Sequence, residues 1–351
     1  LRHTNLRALL RVRNFRLDAL GGFRYHRVCF GDRDRIEPPA DLTDASFPDC
    51  AFDEASFAHT PLIDVSFRGC DFTGCDFRYA HIRGANFQDA DFAGCDFYSA
   101  FFEAANIFSL VRLNRVSFDH AWLNGVLGLE MSDLTRRAHA ECPLVQECDV
   151  ESYIQFLQPT MTDRPDASTI TDAAASAKLT AAETYRTLSA VWTTQGQYSD
   201  AAAAYLRRRN LERDFYSPLR KRSQKMLELT GKRQTKLNWL SARWLGLVVA
   251  WALANYGVSM KRVAGWLMAL ILVPGVAFSV LGGVETTGDH PQSVRELPRC
   301  LLFSLEQLTA SVSRLQGSSS LVDLVGALQV FVGVALLGLF GFTLASWLRN
   351  G

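Results

Sequence analysis

Four cysteines, Cys50, Cys70, Cys75 and Cys95, are the first residues whose chemistry needs an account, because a thiol can ligate a metal, attack an electrophile or form a disulfide. Each stands where Ala otherwise stands, two residues before a Phe, so the reading is a small buried apolar group. Cys50 over Cys70 and Cys75 over Cys95 would be close enough to pair in an oxidising compartment. Leu1 to Phe30 is Arg-rich without the long apolar run of a secretory signal, which favours reduced thiols. Cys142 and Cys148 lack a nearby His pair, the seven His are scattered, and no phosphate-binding glycine loop follows a strand. No enzyme, metal or cofactor is expected.

The thiols belong to a longer pattern. From Ala40 to Phe108 a Phe or branched aliphatic recurs every fifth residue: Leu42, Phe47, Phe52, Phe57, Leu62, Phe67, Phe72, Phe77, Ile82, Phe87, Phe92, Phe97, Phe102 and Ile107. A period of five fits neither the 3.6 of a helix nor the 2.0 of a strand. A coil of short sides, with equivalent positions stacked turn upon turn, buries one large and one small residue in every five.

Units such as Ala40-Asp41-Leu42-Thr43-Asp44, Cys70-Asp71-Phe72-Thr73-Gly74 and Ala85-Asn86-Phe87-Gln88-Asp89 resemble the pentapeptide-repeat family. The resemblance implies a right-handed quadrilateral β-helix with four five-residue faces per turn. Leu42, Leu62, Ile82 and Phe102 then form one inward column and Phe47, Phe67, Phe87 and Ile107 the next. The remaining columns, Phe52-Phe72-Phe92 and Phe57-Phe77-Phe97, are all aromatic. A one-residue slip is expected after Ile107, with a bulge at or near Leu110, before Leu113, Phe118 and Leu123 continue inward. About four turns make a rod only ~20 Å long. The twelve Asp or Glu of residues 40–109, against three Arg, are read as outward turn contacts in that family, not as a catalytic cluster.

The composition averages two unlike halves. A net charge of +1 over 351 residues hides two uncharged stretches, Val263 to Val284 and Leu324 to Leu348. Both exceed the roughly 20 residues needed to cross a bilayer, so each is a candidate span. Leu245 to Tyr256 is shorter and flanked by Trp, as an interfacial helix would be. Asp200 to Trp244 carries twelve Lys or Arg against four acids, and Lys261-Arg262 precede the first span. By the positive-inside rule the N-terminal part and the C-terminus lie in the cytoplasm, and Lys221, Arg222, Lys261 and Arg262 meet lipid headgroups; the family resemblance implies a bacterial inner membrane.

Between the halves, Glu141 to Pro159 reads as a connector helix and Thr160 to Ser176 as a polar linker. A helix through Ala181–Leu188, a turn at Gln195-Gly196-Gln197, and a second helix over Ala201–Arg213 capped by Ser199 follow. The Gly196-x-Tyr198-x-x-Ala201-x-x-x-Tyr205 pattern resembles half of one tetratricopeptide repeat. One helical hairpin cannot bury its apolar face alone, so it should pack on the solenoid end, on a neighbouring subunit, or on both.

Leu297 to Thr309 is an amphipathic segment with Leu301, Leu302, Leu305 and Leu308 read as one side, followed by a polar loop through Ser320. Tyr256-Gly257, Phe303-Ser304-Leu305-x-x-Leu308-Thr309 and Gln329 with Gly333 resemble the two-span, pore-helix family of bacterial ion channels. That resemblance implies a homotetramer, with Gly326, Gly333, Gly338 and Gly341 allowing close helix approach. The potassium filter is not matched: Thr309 is followed by Ala310-Ser311-Val312-Ser313-Arg314, so both filter glycines are replaced. A wider pore lined by Thr309, Ser311, Ser313, Arg314 and Gln329 is the reading.

The expected organisation is an N-terminal cap over 1–39, the β-helix over 40–128, a connector and linker over 129–178, and a helical hairpin with basic juxtamembrane region over 179–238. A pore-like membrane domain over 239–351 contains an interfacial helix (239–257), a span (263–284), a pore helix (297–312) and a second span (324–348). The function read from this is an oligomeric inner-membrane channel or pore-forming effector with a cytoplasmic sensor or assembly domain, triggered by an unidentified protein or ligand. An unselective pore would depolarise a cell, which suggests antiphage defence. Alternatives are a non-conducting membrane scaffold that recruits a protein partner and a DNA mimic. No nucleic acid is expected as partner.

Overall fold

The computed structural model describes residues 24–31, 39–104, 106–135, 144–148, 152–156, 167–217, 242–281, 283–286, 293–308 and 315–350. The chain divides into two compact units, Leu1–Trp239 and Leu240–Gly351.

The first unit is a parallel β-solenoid. Strands β1 (Arg24–His26), β2 (Cys29–Gly31), β3 (Ala51–Asp53), β4 (Ser56–Phe57), β5 (Pro61–Ile63), β6 (His81–Arg83), β7 (Phe101–Glu103), β8 (Asn106–Ile107) and β9 (Val126–Leu127) are all two or three residues long. Leu62 pairs with Ile82 and Ile82 with Phe102, a register of twenty residues. Stacking at that interval turns the five-residue period into columns of buried rings. Phe52 lies 5.2 Å from Phe72, and Phe72 5.2 Å from Phe92, with the rings stacked nearly parallel. Phe57, Phe77 and Phe97 form the neighbouring column at 4.8 and 4.7 Å. Leu42, Phe47, Phe67 and Phe87 are also fully buried.

Corners are made by side chain and backbone together. Asp71, Asp76, Asn86 and Asp96 each accept, through Oδ1, the backbone N–H two residues ahead at 3.0 Å, the Asx turn that suits these residue types. The residue closing the corner then enters the left-handed region, as at Gly74 and Gly94 (both φ +69°) and Tyr79 (φ 57°). Glycine adopts that conformation without steric cost. Asp71, Asp76 and Asp96 thus serve turns, whereas Asp53 and Glu103 lie in strands and pair with His26 and His81.

The slip falls one unit earlier than expected. Phe108 is fully buried beside Phe87 at 4.9 Å, while Ile107 is 40% exposed, so Ile107 leaves the inward column. The extra residue lies between Glu103, which registers with Arg83, and Ile107, which registers with Asn86. Asn106 explains the choice. Its buried amide accepts from Ala85 N (2.9 Å) and donates to the Ile82 and Glu103 carbonyls (3.1 and 2.6 Å), satisfying backbone groups that the interruption leaves without ladder partners. Leu110 is exposed with φ 59°, at a corner and not at the insertion.

Coil pairing also extends outside 40–128. Arg24–His26 pairs with Ala51–Asp53, and Tyr25 and Phe30 stack on Phe52 and Phe57 at 4.9 and 4.8 Å. At the other end Leu144 bridges to Val116. The expected connector helix is therefore interrupted: Val145–Glu147 is a single 3-10 turn, and residues 152–156 are helical.

After helix α1 (Met131–Thr135), α2 (Ala167–Thr194) and α3 (Tyr198–Tyr216) form the hairpin. Helix α2 takes in residues 167–176, read above as linker, because Ala173, Ala174, Ala175 and Ala177 favour helix strongly. Helix α3 starts at Tyr198 with Gln197 at its N-cap and no side-chain cap, so Ser199 lies inside it. The hairpin packs on the solenoid end. Trp192 Nε1 donates to the Leu129 carbonyl (2.6 Å), Gln195 Nε2 to that of Val126 (2.5 Å), and Asp200 accepts from Met131 N (3.1 Å). Glu147 receives the Tyr185 hydroxyl (2.6 Å) and the Arg207 guanidinium. One continuous apolar core includes both parts.

The second unit contains α4 (Ala242–Ala254), α5 (Met260–Leu281), α6 (Leu297–Leu308) and α7 (Ser320–Asn350). A small antiparallel sheet joins β10 (Val284–Thr286) to β11 (Ser293–Val294) and to β12 (Leu315–Gly317), where only loop was expected. Helices α5 and α7 are long and apolar enough to cross a membrane, and only 17% and 22% of their most apolar stretches are buried within the protein.

Candidate functional site: a polar node among apolar helices

Most of the residues singled out from the sequence for a pore, Thr309, Ser311, Ser313 and Arg314, lie outside the described residues, as do Lys221 and Arg222. Gln329 is described, and it is 98% buried, with 2% of its surface exposed. Its Nε2 donates to the Leu270 carbonyl of α5 at 2.9 Å and approaches the Ser304 carbonyl and hydroxyl of α6 at 2.6 and 2.7 Å. Ser304 Oγ in turn donates to the Ile271 carbonyl at 2.8 Å. The Gln329 amide nitrogen is occupied within the chain, tying three helices together.

Pro274 explains why that amide is needed. It sits inside α5 and has no N–H, so the carbonyl four residues before it, Leu270, loses its intrahelical donor. In an apolar environment an orphaned carbonyl must find another partner, and neighbouring helices supply it. Gln329 does so here. Pro274 inside one uncharged run and Gln329, a lone amide in the next, are together a signal legible in the sequence.

Glycines bring the backbones near enough for these bonds. A Cβ at Gly275 would lie 2.5 Å from Leu301, and one at Gly333 2.7 Å from Leu308, so α5 meets α6 and α6 meets α7 closely. Gly326 faces Gln307 at 3.6 Å, whereas Gly338 and Gly341 meet nothing within 4 Å. The buried side of α6 is Cys300, Phe303, Ser304 and Leu308, with Phe303 edge-on to Phe278 at 5.3 Å. Leu302 and Leu305 are exposed. The four leucines expected on one side are thus split, because 300, 304 and 308 share a face at helical spacing.

At the start of α5, Arg262 Nη1 donates to the Trp251 carbonyl (3.0 Å) and its guanidinium lies 5.2 Å from the Trp251 ring centre. Trp266 Nε1 donates to the Ala252 carbonyl (3.0 Å). Lys261, beside it, is exposed.

In the solenoid, Cys70, Cys75 and Cys95 occupy the small inward places and donate to the carbonyls of Phe47, Phe52 and Phe72 at 2.8 to 2.9 Å. Contact with the Cys50 thiol and burial push Cys70 up, and burial pushes Cys95 up. Both remain protonated and unsuited to nucleophilic work.

The pentapeptide repeat region family matches residues 40–123. No curated protein matches the chain. Among solved structures, HetL, a pentapeptide repeat protein involved in heterocyst differentiation regulation from the cyanobacterium Nostoc sp., is 16% identical with a TM-score of 0.29, over 31% of this chain and 48% of its own. QnrB1, a plasmid-mediated fluoroquinolone resistance protein, is 20% identical with a TM-score of 0.25, over 30% of this chain and 58% of its own. A pentapeptide repeat protein from the Arabidopsis thaliana thylakoid lumen is 15% identical with a TM-score of 0.24, over 31% of this chain and 73% of its own. The matches thus span about half the length of the first two proteins, 48% and 58%. Residues 40–123 are a pentapeptide repeat region, in a chain whose C-terminal unit carries two apolar helices compatible with a membrane domain.

Proposed function

We propose that the chain is a membrane pore protein whose C-terminal unit assembles from several copies, four in our reading, around a lumen, with the solenoid as a cytoplasmic assembly or sensor domain. Each solenoid coil is read as four five-residue faces wound right-handed. The observation that carries the pore is α6. Its twelve residues span about 18 Å, little more than half the hydrocarbon thickness, yet it is held between two span-length helices by the Ser304–Gln329 node. A chain segment that ends within the membrane is tolerated only against protein or a water-filled cavity. Leu302 and Leu305 leave one side of α6 uncovered in the single chain, which further copies would cover. In this reading α6 is the pore helix and residues 309–314 follow it at the lumen. In this reading the membrane is a bacterial inner membrane, and the basic residues preceding α5 put both termini on its cytoplasmic side.

Planar-bilayer recording of the purified full chain tests the proposal. Wild type is expected to conduct, Ser311→Trp to block current without preventing assembly, and Arg314→Glu to shift the reversal potential toward cations. A passive anchor that presents the solenoid to a partner is the second reading, favoured by exposed Tyr79, Phe101 and Trp122 on the coil surface. An assembled wild-type protein that passes no current in any lipid would leave that reading standing instead.

A further inference from the structure

We propose that the cleft between the last solenoid coil and helix α2 binds a small organic cation, an amine whose ammonium group is held by the Asp119 carboxylate and the Tyr153 hydroxyl. The cleft lies within the N-terminal unit and is independent of whether the C-terminal unit conducts. Its volume is about 580 Å³, within the range of small-molecule sites.

Charge selects the ligand. Asp119 and His120 line the solenoid side, and Glu183, Thr184 and Arg186 the helix side. Glu183 and Arg186 neutralise each other at 2.7 Å. Among the described residues, the Asp119 carboxylate, with 25% of its side chain exposed, is favoured in its charged form by the imidazole of His120, 3.6 Å away and itself 68% exposed, and by the His120 backbone N–H. Burial pushes the Asp119 pKa up, as expected of a carboxylate short of counter-charge. Tyr153 is 5% exposed and has no hydrogen-bond partner among the described residues. Burial, then the fields of Asp119 and Asp96, push its pKa up to about 12. It is a neutral hydroxyl in a region of negative potential.

An anion would meet the Asp119 carboxylate, while the guanidinium of the cleft, Arg186, is already paired with Glu183. A divalent metal would need several converging oxygen or nitrogen ligands, and no group of three acids, His or Cys is present among the described residues. An ammonium needs one carboxylate and one or two acceptors, which are present. Leu123 and Leu179 also line the cleft and suit a short apolar body attached to the nitrogen.

The test is calorimetric titration of the detergent-solubilised full chain with butylammonium and phenethylammonium chloride, and with butanol and phenethyl alcohol as uncharged counterparts. Saturable amine binding is expected, with each alcohol weaker by about tenfold or more, the usual size of one charge-assisted hydrogen bond. Asp119→Asn should remove that discrimination, Tyr153→Phe should weaken the amines several-fold, and Thr187→Trp at the rim should weaken all four ligands with the melting temperature unchanged. Thr187→Trp decides the matter if Asp119→Asn does not fold. The proposal is overturned if neither amine binds saturably, if amine and alcohol bind alike, or if Thr187→Trp binds as wild type does.

Discussion

Replacing Gln329 with Leu removes the donor that Pro274 makes necessary, and the pair can be examined as a double-mutant cycle. In Gln329→Leu the Leu270 carbonyl, bonded at 2.9 Å in wild type, has neither an intrahelical N–H nor a side-chain donor. An unsatisfied buried acceptor costs about 1–3 kcal/mol, and interhelical bonds within membranes fall at about 0.6–1.7 kcal/mol, so a loss of about 1–2 kcal/mol is expected. Pro274→Ala restores an N–H four residues after Leu270. In that background the same Gln329→Leu change should cost about 1 kcal/mol less, a coupling well above the 0.3–0.5 kcal/mol scatter of independent sites. Reversible unfolding of the four proteins in mixed micelles, read by the fluorescence of their Trp residues, gives the cycle. Additive losses would mean that the Leu270 carbonyl does not depend on Gln329, and the node would be no more than a packing contact.

Phe72→Ala opens a cavity among the stacked rings of Phe52 and Phe92 and should cost about 3–5 kcal/mol in denaturant titrations, whereas Thr73→Ala, at an exposed corner, should stay within about 0.5 kcal/mol. Asn106→Ala removes three hydrogen bonds at the insertion, two of them buried, and should lower stability by about 2–4 kcal/mol, far more than a surface Asn would. Because the folded-state pKa of Asp119 is raised, its ionisation opposes folding: the penalty is absent below the ordinary carboxylate range and develops as pH rises through it. Without ligand, Asp119→Asn should therefore raise the melting temperature at pH 7 and leave it unchanged at pH 3. A reporter fused after Gly351 should be active only if it works in the cytoplasm, and one inserted near Gly288 only if it works outside; the reverse pattern would overturn the orientation drawn from charge.

The repeat was legible because each unit carries its own instructions. Phe72 is inward and Asp71 a corner acceptor by local geometry alone, and stacking at twenty residues only repeats what five residues encode. Uncharged length likewise marked α5 and α7 without reference to anything else in the chain. What the sequence left open were choices between near-equivalent partners that only assembled neighbours decide. Ile107 and Phe108 are both large apolar residues, and the backbone groups of Ala85 and Ile82, one coil away, with that of Glu103 in the same coil, select the register that places Asn106 among them. Leu302 and Leu305 share the apolarity of Leu308, yet contacts with α5 and α7 bury a face that includes Ser304 and Cys300 instead. Gln329 reads from sequence as a polar residue facing a lumen, and becomes the partner of Leu270 only because Pro274, fifty-five positions earlier, leaves that carbonyl without a donor. Local pattern fixes which groups want burial or a hydrogen bond; which distant group answers depends on three-dimensional proximity, and that is not written in any one segment.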